Sequence, residues 1–145
     1  MGSRDGATAL VVGCGTLGSE VADELCDNGY GVTVMDWNAD SFHLLSPSFD
    51  GAKITANGTS IVELEQAGIR SADLVVTATG DDSRNVFIAE TASAVFGVGS
   101  VYARVEDESI GALLDDWNVE VLCPHRLCLN ELARLEGLDE SGARS

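Results

Sequence analysis

Lysine is all but missing from this chain. Lys53 is the only one, and Lys and Arg together number 8 against 24 Asp and Glu, a formal net charge of −16 over 145 residues. A field of that sign repels phosphate backbones and anionic bilayers, which argues against nucleic-acid binding. Two accounts of the acidity compete: a surface matched to a basic partner, or adaptation to high intracellular salt. The acids are spread along the chain rather than clustered, and with so little lysine the halophilic account is favoured. Long apolar runs are also missing. No stretch approaches the roughly 18 residues a membrane span needs, so direct membrane insertion is not expected. The start, Met1-Gly-Ser-Arg-Asp-Gly, lacks the apolar segment of a secretory leader, and a cytoplasmic protein is expected, peripheral to a membrane only through a partner.

Catalytic side chains are scarce. The chain has two histidines. His43 lies in or beside a short helix and reads as a surface residue. His125 follows Pro124 at the start of the last helix and reads as a capping or solvent residue. There is no Tyr-x-x-x-Lys pair. With no acid/base or nucleophile set to work on a bound cofactor, an enzyme is not expected. The four cysteines, Cys14, Cys26, Cys123 and Cys128, have neither redox-pair nor zinc-site spacing. They read as small apolar residues of a reducing compartment, with Cys14 as a modifiable thiol the lesser alternative.

What is present begins with Leu10-Val11-Val12-Gly13-Cys14-Gly15-Thr16-Leu17-Gly18. A short apolar run ends in Gly-x-Gly-x-x-Gly, and a helix-period pattern follows. A second apolar run, Val32 to Met35, closes on Asp36, 18 residues after Gly18. This is the dinucleotide-binding fingerprint. Gly13 permits the tight turn, Gly15 lets the backbone approach a pyrophosphate, and Gly18 lets the helix pack on the sheet. The helix N-terminus offers free N–H groups to phosphates, and Asp36 can accept from ribose hydroxyls. The alternative is a glycine-rich turn serving only tight packing, which leaves Asp36 unexplained.

Short apolar runs and helix-length segments alternate throughout. The expected fold is α/β, a Rossmann-type doubly wound parallel sheet of about six strands in the order 3-2-1-4-5-6. Strands are expected near 8–12, 31–36, 53–56, 73–78, 100–104 and 119–122. Helices are expected near 16–28, 39–45, 60–68, 83–96, 106–117 and 125–136. Residues 1–7 are expected to be a flexible lead-in, 8–136 one nucleotide-binding domain, and 137–145 a flexible tail. Ser60 and Glu63 have capping-box spacing. Asp81-Asp82 reads as a helix N-cap pair, with a metal site the lesser alternative. Trp37 either stacks on adenine or covers the second helix. Trp117, with Leu113 and Leu114, reads as packing.

These motifs together resemble the TrkA-N, KTN or RCK N-terminal domains that regulate potassium transport and conductance. The resemblance runs from about Thr8 to Leu135. It rests on the glycine loop with Asp36; on Ala56-Asn57-Gly58-Thr59 followed by Leu64 and Ala67-Gly68-Ile69; on Ala72 to Val76 with Thr79-Gly80-Asp81-Asp82 and Asn85; on Ala103-Arg104-Val105; and on Val119-Glu120-Val121 leading to Pro124. It implies nucleotide binding by Gly13, Cys14, Gly15, Thr16, Leu17, Gly18 and Asp36. Asn57, with Gly58 and Thr59, would lie near the adenine, where family members often carry Asp. Thr79 and Gly80 would cross the ligand, and Arg104 would face the diphosphate or a partner subunit. Thr16 stands where some members carry an arginine suited to ATP, and Asp36 disfavours a 2′-phosphate. The implied cofactor is NAD, as NAD+ or NADH, with AMP, ADP and ATP left open.

The resemblance further implies a homodimer or higher homo-oligomer built on Glu106 to Leu135, acting on a membrane potassium transporter or channel. The ligand-binding domain that usually follows in the family does not lie within these residues; a stand-alone domain and a piece of a longer chain both remain open. An NAD-dependent oxidoreductase of unknown substrate and a plain AMP/ADP-binding module are the rival functions.

The halophilic account has a direct consequence. Unscreened self-repulsion destabilises the fold at low salt, so the melting temperature is expected to rise by several degrees as KCl is raised from about 0.05 M to about 2 M. A melting temperature independent of salt would leave the basic-partner account standing.

Overall fold

The computed structural model describes residues 6–114 and 117–138. Most of the expected lead-in and tail therefore lies outside the described residues. The elements are β1 (Thr8–Val12), α1 (Thr16–Asp27), β2 (Gly31–Asp36), β3 (Ala52–Thr55), α2 (Ile61–Gln66), β4 (Leu74–Thr77), α3 (Asp82–Glu90), β5 (Ser100–Arg104), α4 (Glu108–Gly111), β6 (Glu120–Leu122) and α5 (Pro124–Glu136). The six strands form one parallel sheet in the order β3-β2-β1-β4-β5-β6. This is the expected Rossmann order, with the chain reversing direction between β1 and β4.

The central strands read as continuous apolar runs because helices cover both faces. In β1, residues Ala9 to Val12 are all buried. Successive side chains point to opposite faces and so divide the core in two. Leu10 and Val12 join Met35, Leu64, Ile69, Val75, Ile88 and Val101 on one face. Val11 joins Cys14, Ala22, Val32 and Val34 on the other. The α1 residues buried outright are Gly18, Ser19 and Ala22. These small residues let the helix axis come close to the sheet.

Several elements differ from expectation, each for a local reason. The segment after β2 is a 3₁₀ helix, Ala39–Leu44, started by Asn38, whose side chain accepts from the Asp40 N–H. The Ser60 hydroxyl accepts from the Glu63 N–H as a capping box requires, but Glu63 reaches back to the Asn57 N–H instead of that of Ser60 (2.8 Å). The capping box is half made, and its acid instead braces the loop after β3. The single helix expected over 83–96 is α3 followed by a π-helical turn, Thr91–Val95, in which the Phe96 N–H reaches the Thr91 carbonyl.

The long helix expected over 106–117 is instead short: α4, then a 3₁₀ turn, Ala112–Leu114. Its start is delayed because the N–H groups of Glu106 and Asp107 both donate to the Asp82 carboxylate (3.0 and 2.9 Å). Asp107 becomes the cap, accepting from the Ser109 N–H. Residues 115–116 of that expected helix lie outside the described residues. No helix among the described residues is long and apolar enough to cross a membrane.

Candidate functional site

The carboxyl ends of β1 and β4 open onto a crevice with two lobes. The first, about 420 Å³, is lined by Val12, Gly13, Gly15, Met35, Asp36, Trp37, Asn38, Ser41, Ala56, Asn57, Gly58, Thr59, Ala78, Thr79, Gly80, Arg84 and Ile88. The second, about 510 Å³, is lined by Gly15, Thr16, Leu17, Glu20, Ala78, Thr79, Gly80, Arg104 and Pro124. Gly15, Ala78, Thr79 and Gly80 border both, so the lobes meet at the glycine loop.

The three loop glycines have three different reasons. Gly13 has φ +105°, and a Cβ there would sit 2.7 Å from the Ala78 carbonyl. A Cβ on Gly18 would lie 1.8 Å from the Gly13 carbonyl oxygen, so α1 can approach the loop only without a side chain there. Gly15 has ordinary φ (−79°) and open space around its missing Cβ. Nothing within the described protein requires glycine at that position.

The N-terminus of α1 carries no side-chain cap, a feature it shares with α5. Asn38, Ser60, Asp81 and Asp107 cap other helical segments with side-chain oxygens. At α1 the N-cap is Gly15, without a side-chain bond and with no acid in the first turn. The first-turn N–H groups have no partner within the helix, and their positive dipole end faces the second lobe.

Asp36 holds the crevice together as well as lining it. One carboxylate oxygen accepts from the Cys14 N–H (2.7 Å) and the other from the Asn38 N–H (2.8 Å). The acid therefore ties the glycine loop to the end of β2, a structural task its spacing did not reveal. Each oxygen keeps acceptor capacity toward the first lobe. Opposite, Asn85 is fully buried. Its carbonyl accepts from the Thr79 N–H and hydroxyl, and its amide donates to the carbonyls of Thr79 and Arg104. One side chain thus sets the loop after β4 and the end of β5. Arg104 also pairs with Glu106 (3.2 Å).

Of the residues expected at the site, Gly13, Asp36, Trp37, Asn57, Gly58 and Thr59 line the first lobe, and Thr16, Leu17 and Arg104 the second; Gly15, Thr79 and Gly80 line both. Cys14 and Gly18 line neither. They stand behind the loop, Gly18 against Gly13 and the Cys14 side chain in the core under α1. Burial, with Asp36 and Asp23 nearby, pushes the Cys14 thiol up to about 11, which suppresses the thiolate that modification needs. Arg84 was not foreseen. An exposed arginine in a helix's first turn, as in Asp81-Asp82-Ser83-Arg84-Asn85, carries no periodic signal in the sequence. Asp81 caps α3 through the Arg84 N–H, and no group of metal-ligating side chains occurs among the described residues.

A parallel sheet in this order with a glycine loop at its switch point and an acid after the second strand defines a Rossmann-type domain. Within that class the chain belongs to the TrkA-N domain family, whose description matches residues 9–123. The chain is 36% identical over 98 residues to the Trk system potassium uptake protein TrkA of Streptomyces coelicolor, covering 68% of this chain and 44% of that protein. It thus spans under half the length of that relative. Its fold matches the TrkA-N domain of inner membrane protein ybaL from Escherichia coli (TM-score 0.77, 18% identity, 88% of this chain and 95% of that one). It also matches the NAD(P)-binding domain of an exopolyphosphatase-related protein from Archaeoglobus fulgidus (TM-score 0.68, 17% identity, 90% and 98%).

Two outcomes are expected from this geometry. Gly18→Ala should lose at least ~3 kcal/mol of folding stability through the clash with Gly13. Gly15→Ala should fold with an unchanged denaturation midpoint, since nothing within the protein crowds it. Equal midpoint losses for the two would contradict the separate roles. The second outcome concerns Cys14. Its folded pKa lies above the unfolded value of 9.0, so the folded state holds more protons between pH 9 and about 11 and stability falls as pH rises through that window. Denaturation against pH should show the parent losing ~2 kcal/mol more than Cys14→Ala over this range; parallel curves would count against the buried thiol's effect.

Proposed function

We propose that this domain is a nucleotide sensor of a potassium-transport system, holding NAD+ or NADH across the two lobes. The observation that carries the reading is the uncapped N-terminus of α1 beside Gly15, a glycine whose only evident use is close approach by a ligand. The adenosine half lies in the first lobe, with its ribose on Asp36. The diphosphate crosses Gly15, Thr16 and Leu17, and the second half extends toward Thr79, Gly80 and Arg104. Kinship with TrkA, and the fold shared with an NAD(P)-binding domain, support the reading. AMP, ADP and ATP remain alternative ligands of the same crevice.

The domain acts as a homodimer or larger homo-oligomer on a membrane potassium transporter or channel. Supporting this, α5 has no buried residue and exposes Leu127, Leu129, Leu132 and Leu135. A groove lined by Val105, Glu108, Gly111, Ala112, Val121, Cys123 and Arg126 runs between α4 and α5. Such a face gains from burial against a second copy. Nucleotide binding alters the relation between subunits, which requires unequal affinity for the two arrangements. The acidic surface suits a cytoplasm rich in salt.

The test is thermal unfolding at high salt with NAD+, NADH, ATP, ADP and AMP, with sedimentation of the same samples. At about 100 times Kd, NAD+ or NADH should add ~2.7 kcal/mol, several degrees in melting temperature, and the protein should sediment as a dimer or larger. Asp36→Ala should bind more weakly and also melt lower without ligand, because the Cys14 and Asn38 N–H groups lose their acceptor. No shift with any nucleotide would overturn the sensor reading, and a shift with ATP alone would overturn the choice of NAD.

A further inference from the structure

Among the described residues, Arg70, Arg104, Arg126 and Arg134 each pair with a glutamate. Arg84 pairs with none, in a chain with 24 acids. Its guanidinium carbon instead lies 5.4 Å from the centroid of the Trp37 ring. Trp37 is 73% exposed, an unusual cost for so large an apolar surface. Both side chains line the first lobe and reach it from different elements, Trp37 from the end of β2 and Arg84 from the first turn of α3. Their backbones are pinned. Asp36 accepts from the Asn38 N–H beside Trp37, and Asp81 accepts from the Arg84 N–H. The two side chains rest against each other on fixed bases.

We propose that Trp37 and Arg84, which lie against each other here, part to admit a purine base and stack on its two faces, with Arg84 a determinant of affinity for the base rather than for the phosphates. The inference rests on the nucleotide reading above. An indole face and a planar guanidinium both stack on aromatic rings, which a lysine ammonium cannot match. The wall of the lobe, with Val12, Met35, Ala56 and Ile88, suits the body of a base. The Asn57 carbonyl oxygen is taken by the N–H and hydroxyl of Thr59 (3.0 and 2.7 Å). Its amide N–H₂ remains as a donor, matched to a purine ring nitrogen. Phosphates belong to the other lobe, at the α1 N-terminus, which Arg84 does not line. Stacking is also the contact that survives salt, whereas an exposed arginine–phosphate pair is screened.

The test uses the full chain carrying Trp117→Phe, so that Trp37 is the only tryptophan. AMP, ADP and NAD+ are titrated at about 0.2 M and about 2 M KCl. In the parent, each nucleotide should quench Trp37 fluorescence. Arg84→Ala, at an exposed position, should melt as the parent does and bind each of the three about five- to tenfold more weakly, by a similar factor at both salts. Arg84→Lys should restore little. A loss that grows from AMP to ADP, or that vanishes at high salt, would show a phosphate contact and overturn the clamp, as would unchanged affinity in Arg84→Ala. A parent that binds none of the three overturns the nucleotide reading and the clamp together. A parent that binds while Arg84→Ala is unaffected overturns the clamp alone.

Discussion

The approach of α1 to the glycine loop is the constraint on which the rest depends. The Gly18 backbone rests so close to the Gly13 carbonyl that a methyl group could not fit between them. This contact fixes the axis of α1, and with it the direction of the helix's free N–H groups. It also fixes Gly13 against Ala78, so the loops after β1 and β4 stay together at the point where the sheet reverses. A parallel sheet leaves its carboxyl ends open at such a point. The crevice is thus a consequence of strand order and two glycines, before any side chain is chosen to line it.

Side chains then hold its two walls by different means. On one wall a single carboxylate, Asp36, ties the glycine loop to the segment after β2 through two backbone N–H groups. On the other, buried Asn85 satisfies both Thr79 and Arg104, while Asp82 receives the chain as it leaves β5. A buried polar group left without a partner costs ~1–3 kcal/mol, and among the described residues no buried side-chain polar atom lacks one. Such closed networks position loops with little freedom. The side chains left over, Trp37 and Arg84 among them, are exposed and carry no such structural duty.

The fold was legible because its signals were local and repeated. Apolar runs such as Leu74–Val76 alternate with helix-length segments, and the glycine loop gave the starting point of the strand order. Element ends were less legible wherever a distant group competed for the backbone. The late start of α4 depends on Asp82, some twenty-five residues earlier, and the half-made capping box depends on Glu63 preferring Asn57. The same limit applies to the site. Gly13, Gly15, Thr16, Asp36 and Thr79 were placed by motif. Cys14 and Gly18 share that motif but turn inward, Cys14 with its side chain in the core under α1 and Gly18 against the Gly13 carbonyl. Arg84 reaches the crevice only because the turn from β4 into α3 swings it over Trp37, a meeting of residues far apart in sequence.

An acidic chain is a poor vessel for an anion if only its net charge is considered. Distance decides otherwise. At about 1 M salt the Debye length is ~3 Å, and most of the acids then contribute little field at the crevice. The α1 N-terminus acts at contact, with about half a positive charge spread over N–H groups that have no partner of their own. Of the two carboxylates that line the lobes, Asp36 and Glu20, the first already faces two N–H donors, which spread its charge. The balance therefore depends on ionic strength in a definite sense. On the halophilic account the acids act together at low salt, where they would loosen the fold and oppose a phosphate; at high salt they are screened while the short-range donors remain. On the proposed reading, a crevice built on backbone N–H groups and flat side chains, with few exposed cations, would be the arrangement whose attraction for a nucleotide is least weakened by high salt.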